Sequence, residues 1–263
     1  MNNKLISVLI IACCAMMILT ICTEASGETF NWYCKRNKNH LQPRCDPDMQ
    51  FIEEYGGFYV DKEHGDTASD AVVYLTFDAG YDNGNVGRVL DVLKEKEVRA
   101  AFFILAHLVK KNTDLVRRMA DEGHLVCNHT ASHLDMTQFT SIEEFGAELK
   151  KLEDIYTEYT SRKIARYYRP PKGKFNEENL KFAQQLGYKT IFWSLAYADW
   201  DNERQLDPEY AFNLIMSNIH NGAIILLHPT SSTNAKILGR VIDQLRAEGY
   251  SFGTLDQLTK VEK

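Results

Sequence analysis

From Ala71 to the C-terminus the sequence predicts an α/β fold, with parallel strands backed by outer helices in a sheet or a barrel. Three observations carry this expectation. Strand-like and helix-like segments alternate with short connections, the pattern that parallel pairing requires. Some strand runs, such as Ile224-Ile225-Leu226-Leu227, are too apolar for an edge or a surface. With 263 residues, 44% hydrophobic and 25% charged, the chain buries a full core, as one barrel-sized domain or two smaller ones.

Each element carries its own local signal. The first strand, Val72 to Phe77, ends on Asp78 and the turn residues Ala79-Gly80-Tyr81-Asp82-Asn83-Gly84. Val86, Val89, Leu90 and Leu93 then repeat at helical spacing, and Arg99 to Leu105 reads as the second strand. Leu115, Val116 and Met119 mark a helix closed by Gly123, after which His124 to Asn128 forms a third strand. Ser141-Ile142-Glu143-Glu144 opens a long charged helix with a capping-box pattern, and the strand Ala165 to Tyr168 is stopped by Pro170-Pro171. Asn176 caps a helix that Gly187 closes; Lys189 to Leu195 reads as one continuous fifth strand. Asp207-Pro208 pairs an N-cap with a first-turn proline. Gly222 to Leu227, the helix Ile237 to Leu245 and the strand Tyr250 to Thr254 complete the set.

Three parts are expected: a signal peptide over 1–25, an N-terminal extension packed on the barrel over 26–70, and the main domain over 71–263. The first opens with Lys4, continues as an apolar run from Leu5 to Ile21 and ends on Thr23-Glu24-Ala25, the layout of a secretory signal cut after Ala25. An uncleaved membrane anchor is the alternative, since the run approaches the length of a short span. Bulky Ile21 before Cys22 argues against a lipoprotein. Cleavage removes only Lys4 and Glu24 among the charged residues, so the net charge stays at −6 and speaks against a nucleic-acid partner. No protein partner is indicated. Beyond residue 25 the cysteines are Cys34, Cys45 and Cys127. Cys34 and Cys45 bracket a loop that they either staple or leave open, and Cys127 reads as a small buried hydrophobe. The extension is rich in aromatics, including Trp32 and Tyr55-Gly56-Gly57-Phe58-Tyr59, and poor in periodicity.

Reactive side chains collect at strand ends. Asp78, His129, Arg169, Asp199 and His228 each fall at or just past the end of a different strand, and in a parallel barrel those ends share one rim. A carboxylate such as Asp78 at a strand mouth either meets a ligand or caps the next turn. His129 and His133 lie four residues apart, which would put both imidazoles on one face of a helical turn and suits two nitrogen ligands on a divalent ion; hydrogen-bonded histidines are the plainer reading. Arg169 is aimed by the stiff Pro170-Pro171-Lys172-Gly173 loop, and His228 has Asp199 available as an orienting carboxylate. A calcium loop at Asp78–Gly84 fails, because Gly80 stands where an oxygen ligand is required.

In this order, Thr76-Phe77-Asp78-Ala79-Gly80, Asn128-His129-Thr130-Ala131-Ser132-His133, Arg169-Pro170-Pro171-Lys172-Gly173, Asp199-Trp200 and Leu226-Leu227-His228 resemble the motifs of the polysaccharide deacetylases, carbohydrate esterase family four, over roughly residues 70–260. Asn31-Trp32, Lys35-Arg36 and Asn39-His40 are similar to the delta-lactam-biosynthetic de-N-acetylases of spore-forming bacteria, which act on muramic acid in cortex peptidoglycan. The resemblance implies a distorted (β/α) barrel and a secreted hydrolase acting on peptidoglycan whose stem peptide has been removed. It also implies roles. Asp78 would be the base, His228 the acid that protonates the leaving amine, Arg169 the partner that keeps Asp78 ionised, and Asp199 the group that tunes His228. His129 and His133 would hold a divalent metal ion, zinc by analogy. The amide of Lys172 would face the oxyanion, and Trp200 and Leu226 would wall the acetyl pocket.

Ala79 departs from the family pattern, which places a second metal-binding Asp there. A thinner ligand set binds metal less tightly, so the ion is expected to be held weakly. Lys172 and Lys174 are expected to receive the lactyl carboxylate of muramic acid. A chitooligosaccharide or N-acetylglucosamine deacetylase and a non-catalytic glycan-binding relative are the alternatives. A glycosidase using Asp78 and Asp199 would leave the histidine pair unexplained.

Overall fold

Residues 27–36 and 38–260 are described by a computed structural model; the expected signal segment 1–25 lies outside the described residues. The strands in chain order are β1 (Phe30–Asn31), β2 (Gly57–Phe58), β3 (Ala71–Ala79), β4 (Ala101–Ile104), β5 (Leu125–Asn128), β6 (Ala165–Tyr168), β7 (Lys174–Phe175), β8 (Lys189–Ile191), β9 (Leu195–Ala196), β10 (Ala223–Leu227) and β11 (Tyr250–Phe252). The helices are α1 (Phe51–Glu54), α2 (Val86–Glu95), α3 (Ala106–Lys111), α4 (Thr113–Asp121), α5 (Ile142–Thr160), α6 (Glu177–Gln185), α7 (Pro208–Asn218), α8 (Ser232–Ala247) and α9 (Leu255–Leu258).

One sheet runs β2-β8-β6-β5-β4-β3-β10-β9, with every ladder parallel, and curls into a half-barrel backed by helices. Its spine is β3. On one side β10 pairs along Val73–Phe77; on the other β11 takes the start of the strand and β4 its end. Side chains of β3 alternate between the two faces. Val73, Leu75 and Phe77 pack on the helical side with Val89, Leu90 and Leu93 of α2 and Ile242 of α8. Val72 and Tyr74 point to the inner side with Phe103 and Ile224. The same alternation carries Thr76 and Asp78 to the inner side.

The extension does more than wrap the surface. Its β2 adds an edge strand beside β8, and β1 pairs antiparallel with β7. Trp32 anchors it. The indole Nε1 donates to the carbonyl of Trp193 (2.8 Å), the backbone N–H donates to that of Gly173 (2.7 Å), and the ring packs on Tyr59 and Phe192. Gly173, at φ +65°, leaves room for this approach: a Cβ there would lie 2.9 Å from the Trp193 ring and 3.1 Å from the Trp32 Cβ.

One local expectation is corrected, one open question is closed and one helix is added. The predicted single strand Lys189 to Leu195 is two, because the chain changes partners: β8 lies between β2 and β6, and β9 pairs with β10. Between them Phe192 N–H donates to Phe58 and Ser194 N–H to Ile224. Helix α3 was not anticipated; it is a six-residue helix directly after β4. Cys34 and Cys45 are free thiols, so the loop they bracket is not stapled, whereas Cys127 is fully buried as expected.

Candidate active site

Arg169 organises the inner rim. It follows β6, and its backbone N–H donates to the Asn128 carbonyl (3.0 Å) at the end of β5. The guanidinium is entirely buried and lies 4.1 Å from the centre of the Phe103 ring. Nη1 donates to Asp78 Oδ1 (2.8 Å), Nη2 to Thr76 Oγ1 (2.9 Å) and to the Phe192 carbonyl (3.3 Å), and Nε to the Ile191 carbonyl (2.9 Å). Thr76 can accept because its own hydroxyl donates to Ile225 O (2.7 Å). Burial pushes the Asp78 carboxyl up, but the charges of His129, Arg169 and His228 outweigh burial and hold it below the usual carboxylate range. Asp78 is therefore ionised at neutral pH.

The two imidazoles of the second motif sit beside it. His129 Nδ1 lies 2.9 Å from the Arg169 carbonyl, and since a carbonyl oxygen only accepts, Nδ1 carries the hydrogen. Nε2 keeps its lone pair, 3.5 Å from Asp78 Oδ2. The His133 ring centre is 5.0 Å from that of His129. Their approach does not use the helical turn predicted from the spacing. Thr130 and His133 both take left-handed backbone (φ +74° and +56°), and the loop is held by Thr130 N–H to Asn128 Oδ1 and His133 N–H to Thr130 Oγ1, each 2.8 Å. Burial lowers the pKa of both, and His133, also repelled by His129, is pushed down to about 4. Burial thus favours the neutral form of both rings, in which each offers a nitrogen lone pair.

Across the cleft, His228 follows β10 and is propped by Asp199. Its Nδ1 donates to Asp199 Oδ1 and its backbone N–H to Oδ2, both 2.7 Å. Asn234 of α8 completes the clamp, donating from Nδ2 to Asp199 Oδ2 and to the His228 carbonyl, and Tyr197 donates to Asn234 Oδ1. Burial lowers the His228 pKa, but the Asp199 hydrogen bond and charge, with the charge of Asp78, more than offset it and raise the value. His228 therefore holds its proton more firmly than a free imidazole.

Asp78, His129, His133 and His228 line one cleft of about 830 Å³, together with Lys172, Trp200 and Leu226. Lys172 adopts left-handed backbone (φ +58°), and Trp200 stands exposed at the mouth. Lys174 is corrected: it does not line the cleft and instead pairs with Asp135 (2.5 Å). Sequence reasoning gave no site role to Asn234, which lies on a helix without a motif, or to Tyr33, Cys34 and Arg36, which bring the extension to the cleft wall. The Lys35-Arg36 pair was the available signal for the last.

His129 and His133 fit a divalent ion through two neutral imidazole nitrogens beside a carboxylate. Among the described residues no group of three or more His, Cys, Asp or Glu side chains could hold a metal. Ala79 explains the shortfall. As an alanine it has no ligating side chain, so Asp78 is the one carboxylate that the first motif supplies.

An ionised carboxylate facing a carboxylate-propped imidazole across one cleft can take a proton on one side and give one on the other, as hydrolysis of an amide requires. The sequence profile of the family described as Polysaccharide deacetylase matches residues 65–191. The peptidoglycan-N-acetylmuramic acid deacetylase PdaA of Bacillus subtilis is 38% identical over 251 residues, covering 94% of this chain and 93% of that protein. An uncharacterised 30.6 kDa protein of Geobacillus stearothermophilus is 42% identical over 240 residues, covering 90% and 88%. The solved structure of Bacillus subtilis PdaA, a family 4 carbohydrate esterase, superposes with a TM-score of 0.83 at 37% identity, covering 90% of this chain and 99% of that one. The chain belongs to the polysaccharide deacetylases of carbohydrate esterase family 4, hydrolases of carbon–nitrogen bonds other than peptide bonds.

Two consequences of this geometry are measurable. Replacing Arg169 with Met strands a buried carboxylate, so urea unfolding at pH 7 should show a loss of about 3–5 kcal/mol, shrinking at low pH as Asp78 takes up a proton. Replacing Asp199 with Asn keeps the shape of the prop but removes the charge that raises His228. Nitrogen-15 NMR of the imidazole should then show His228 titrating at lower pH than in the wild type; an unchanged titration would show that Asp199 does not set it.

Proposed function

We propose that this chain is an exported peptidoglycan deacetylase that removes the N-acetyl group of N-acetylmuramic acid from strands whose stem peptides have been cut away, on the way to the muramic delta-lactam of spore cortex. The observation that carries this is the extension. It forms a wall of the catalytic cleft, and the similarity to the muramic acid deacetylase of Bacillus subtilis spans 94% of the chain, the extension included. Export rests on the expected signal segment and on a substrate that lies outside the membrane.

In this reading Asp78, kept ionised by Arg169, takes the proton of the attacking water. The Lys172 amide faces the oxygen on which charge develops, and Trp200 and Leu226 enclose the acetyl methyl. His228 delivers its proton to the departing amine, and Asp199 stabilises the charged imidazole until that moment. Such positioned acid and base groups each contribute on the order of 10²–10⁴ in rate. His129 and His133 would hold a divalent metal ion, zinc by its preference for imidazole, whose Lewis acidity would polarise the acetyl carbonyl and the water. With two protein ligands the ion should be easily removed.

The test is acetate release from amidase-trimmed peptidoglycan, from untrimmed peptidoglycan and from chitooligosaccharide, with and without chelator. We expect release from the trimmed substrate, lost on chelation and restored by zinc. Release from chitooligosaccharide alone would overturn the substrate, and no release even with added metal would support a binding module. An ion retained through prolonged chelation would contradict the two-ligand site.

A further inference from the structure

The cleft is cationic in a protein whose net charge is −6. Its lining carries one carboxylate, Asp78, already committed to Arg169, together with the side chains of Arg36 and Lys172. Neither of these two has an ion pair or a side-chain hydrogen bond among the described residues. They come from adjoining walls: Trp32 N–H is bonded to the carbonyl of Gly173, next to Lys172, and the extension runs on from there to Cys34, whose thiol approaches the Ala196 carbonyl, and then to Arg36. Arg36 and Lys172 line the same cleft as Asp78, His129, His133 and His228.

Unpaired cations in a catalytic cleft are matched by an anion on the substrate. In muramic acid the lactyl ether is attached to the ring carbon next to the one bearing the acetamido group, so its carboxylate lies only a few bonds from the scissile amide. That carboxylate is free only when the stem peptide is gone. Glucosamine has no such charge.

We infer that Arg36 of the extension and Lys172 of the loop after β6 together form a carboxylate subsite that recognises the lactyl group of the sugar being deacetylated. The inference rests on the muramic acid reading proposed above. It replaces Lys174, which Asp135 occupies, with Arg36, and it gives the extension a specificity role. Arg36 supplies a planar fork suited to a carboxylate, and Lys172 a compact charge on a backbone held in left-handed conformation.

The experiment compares amidase-trimmed glycan with the same glycan after its lactyl carboxylates are capped as methyl amides. For the wild type, capping should raise KM by roughly tenfold or more, the worth of a charge-assisted hydrogen bond. Arg36→Gln should raise KM for the uncapped glycan by a similar factor, with the loss on KM rather than kcat, and should respond little to capping; Arg36→Lys should recover most of the preference. Raising ionic strength provides a reading that needs no variant, weakening the wild type on uncapped glycan and leaving capped glycan unaffected. If Arg36→Gln discriminates against capped glycan as the wild type does, or if salt acts equally on both glycans, the subsite is overturned while the muramic acid reading stands. If the wild type itself releases no acetate from muramic residues, that reading fails first, and the wild-type arm alone shows it.

Discussion

The buried ion pair between Arg169 and Asp78 is the constraint from which the rest of the site follows. Desolvating two charges is expensive, and the cost is offset only when the remaining donors and acceptors are satisfied. Here the guanidinium reaches Asp78, Thr76, Ile191 and Phe192, which belong to or border β3 and β8, while its backbone is hydrogen-bonded to residues at the end of β5. One side chain thus ties several strand ends to a single geometry. It also orients a neighbour, since its carbonyl fixes the tautomer of His129. Electrostatics, packing and ligand orientation meet in one residue.

Around that pair the cleft separates opposite demands. On one side a carboxylate is held below its ordinary pKa, and on the other an imidazole is held above its own. Environments that push two titratable groups apart in this way suit the base and acid roles proposed for them. The polar clamp of Asp199, Asn234 and Tyr197 belongs to the acid alone, and α8 supplies its central member. The extension closes the remaining wall, where aromatic packing through Trp32 places Arg36 over the same cleft.

Much of this was legible in the sequence because parallel α/β architecture converts strand order into proximity. Asp78, His129, Arg169 and His228 each terminate a run of β-formers or closely follow one, and the shared rim of the sheet brings them together. What the sequence concealed lies where backbone conformation departs from periodicity. The His129–His133 spacing suggested a helical turn, whereas the loop closes through two left-handed residues and Asn128. The strand read across Lys189 to Leu195 looks continuous because it is a nearly unbroken run of apolar and β-branched residues, and only the change of partner at Phe192–Ser194 divides it. Asn234 carries no pattern that marks it as a support for Asp199. Lys174 and Lys172 are indistinguishable by proximity in sequence; the carboxylate of Asp135 separates them.

The central claim is that Arg169 keeps Asp78 ionised inside a buried rim. Carbon-13 NMR of protein labelled at the aspartate carboxyl, with Asp78→Asn for assignment, reads that state directly. The account predicts that the Asp78 signal stays in its ionised position while pH falls through the ordinary aspartate value of about 3.9. An Asp78 carboxyl that takes up its proton at or above that value would contradict it.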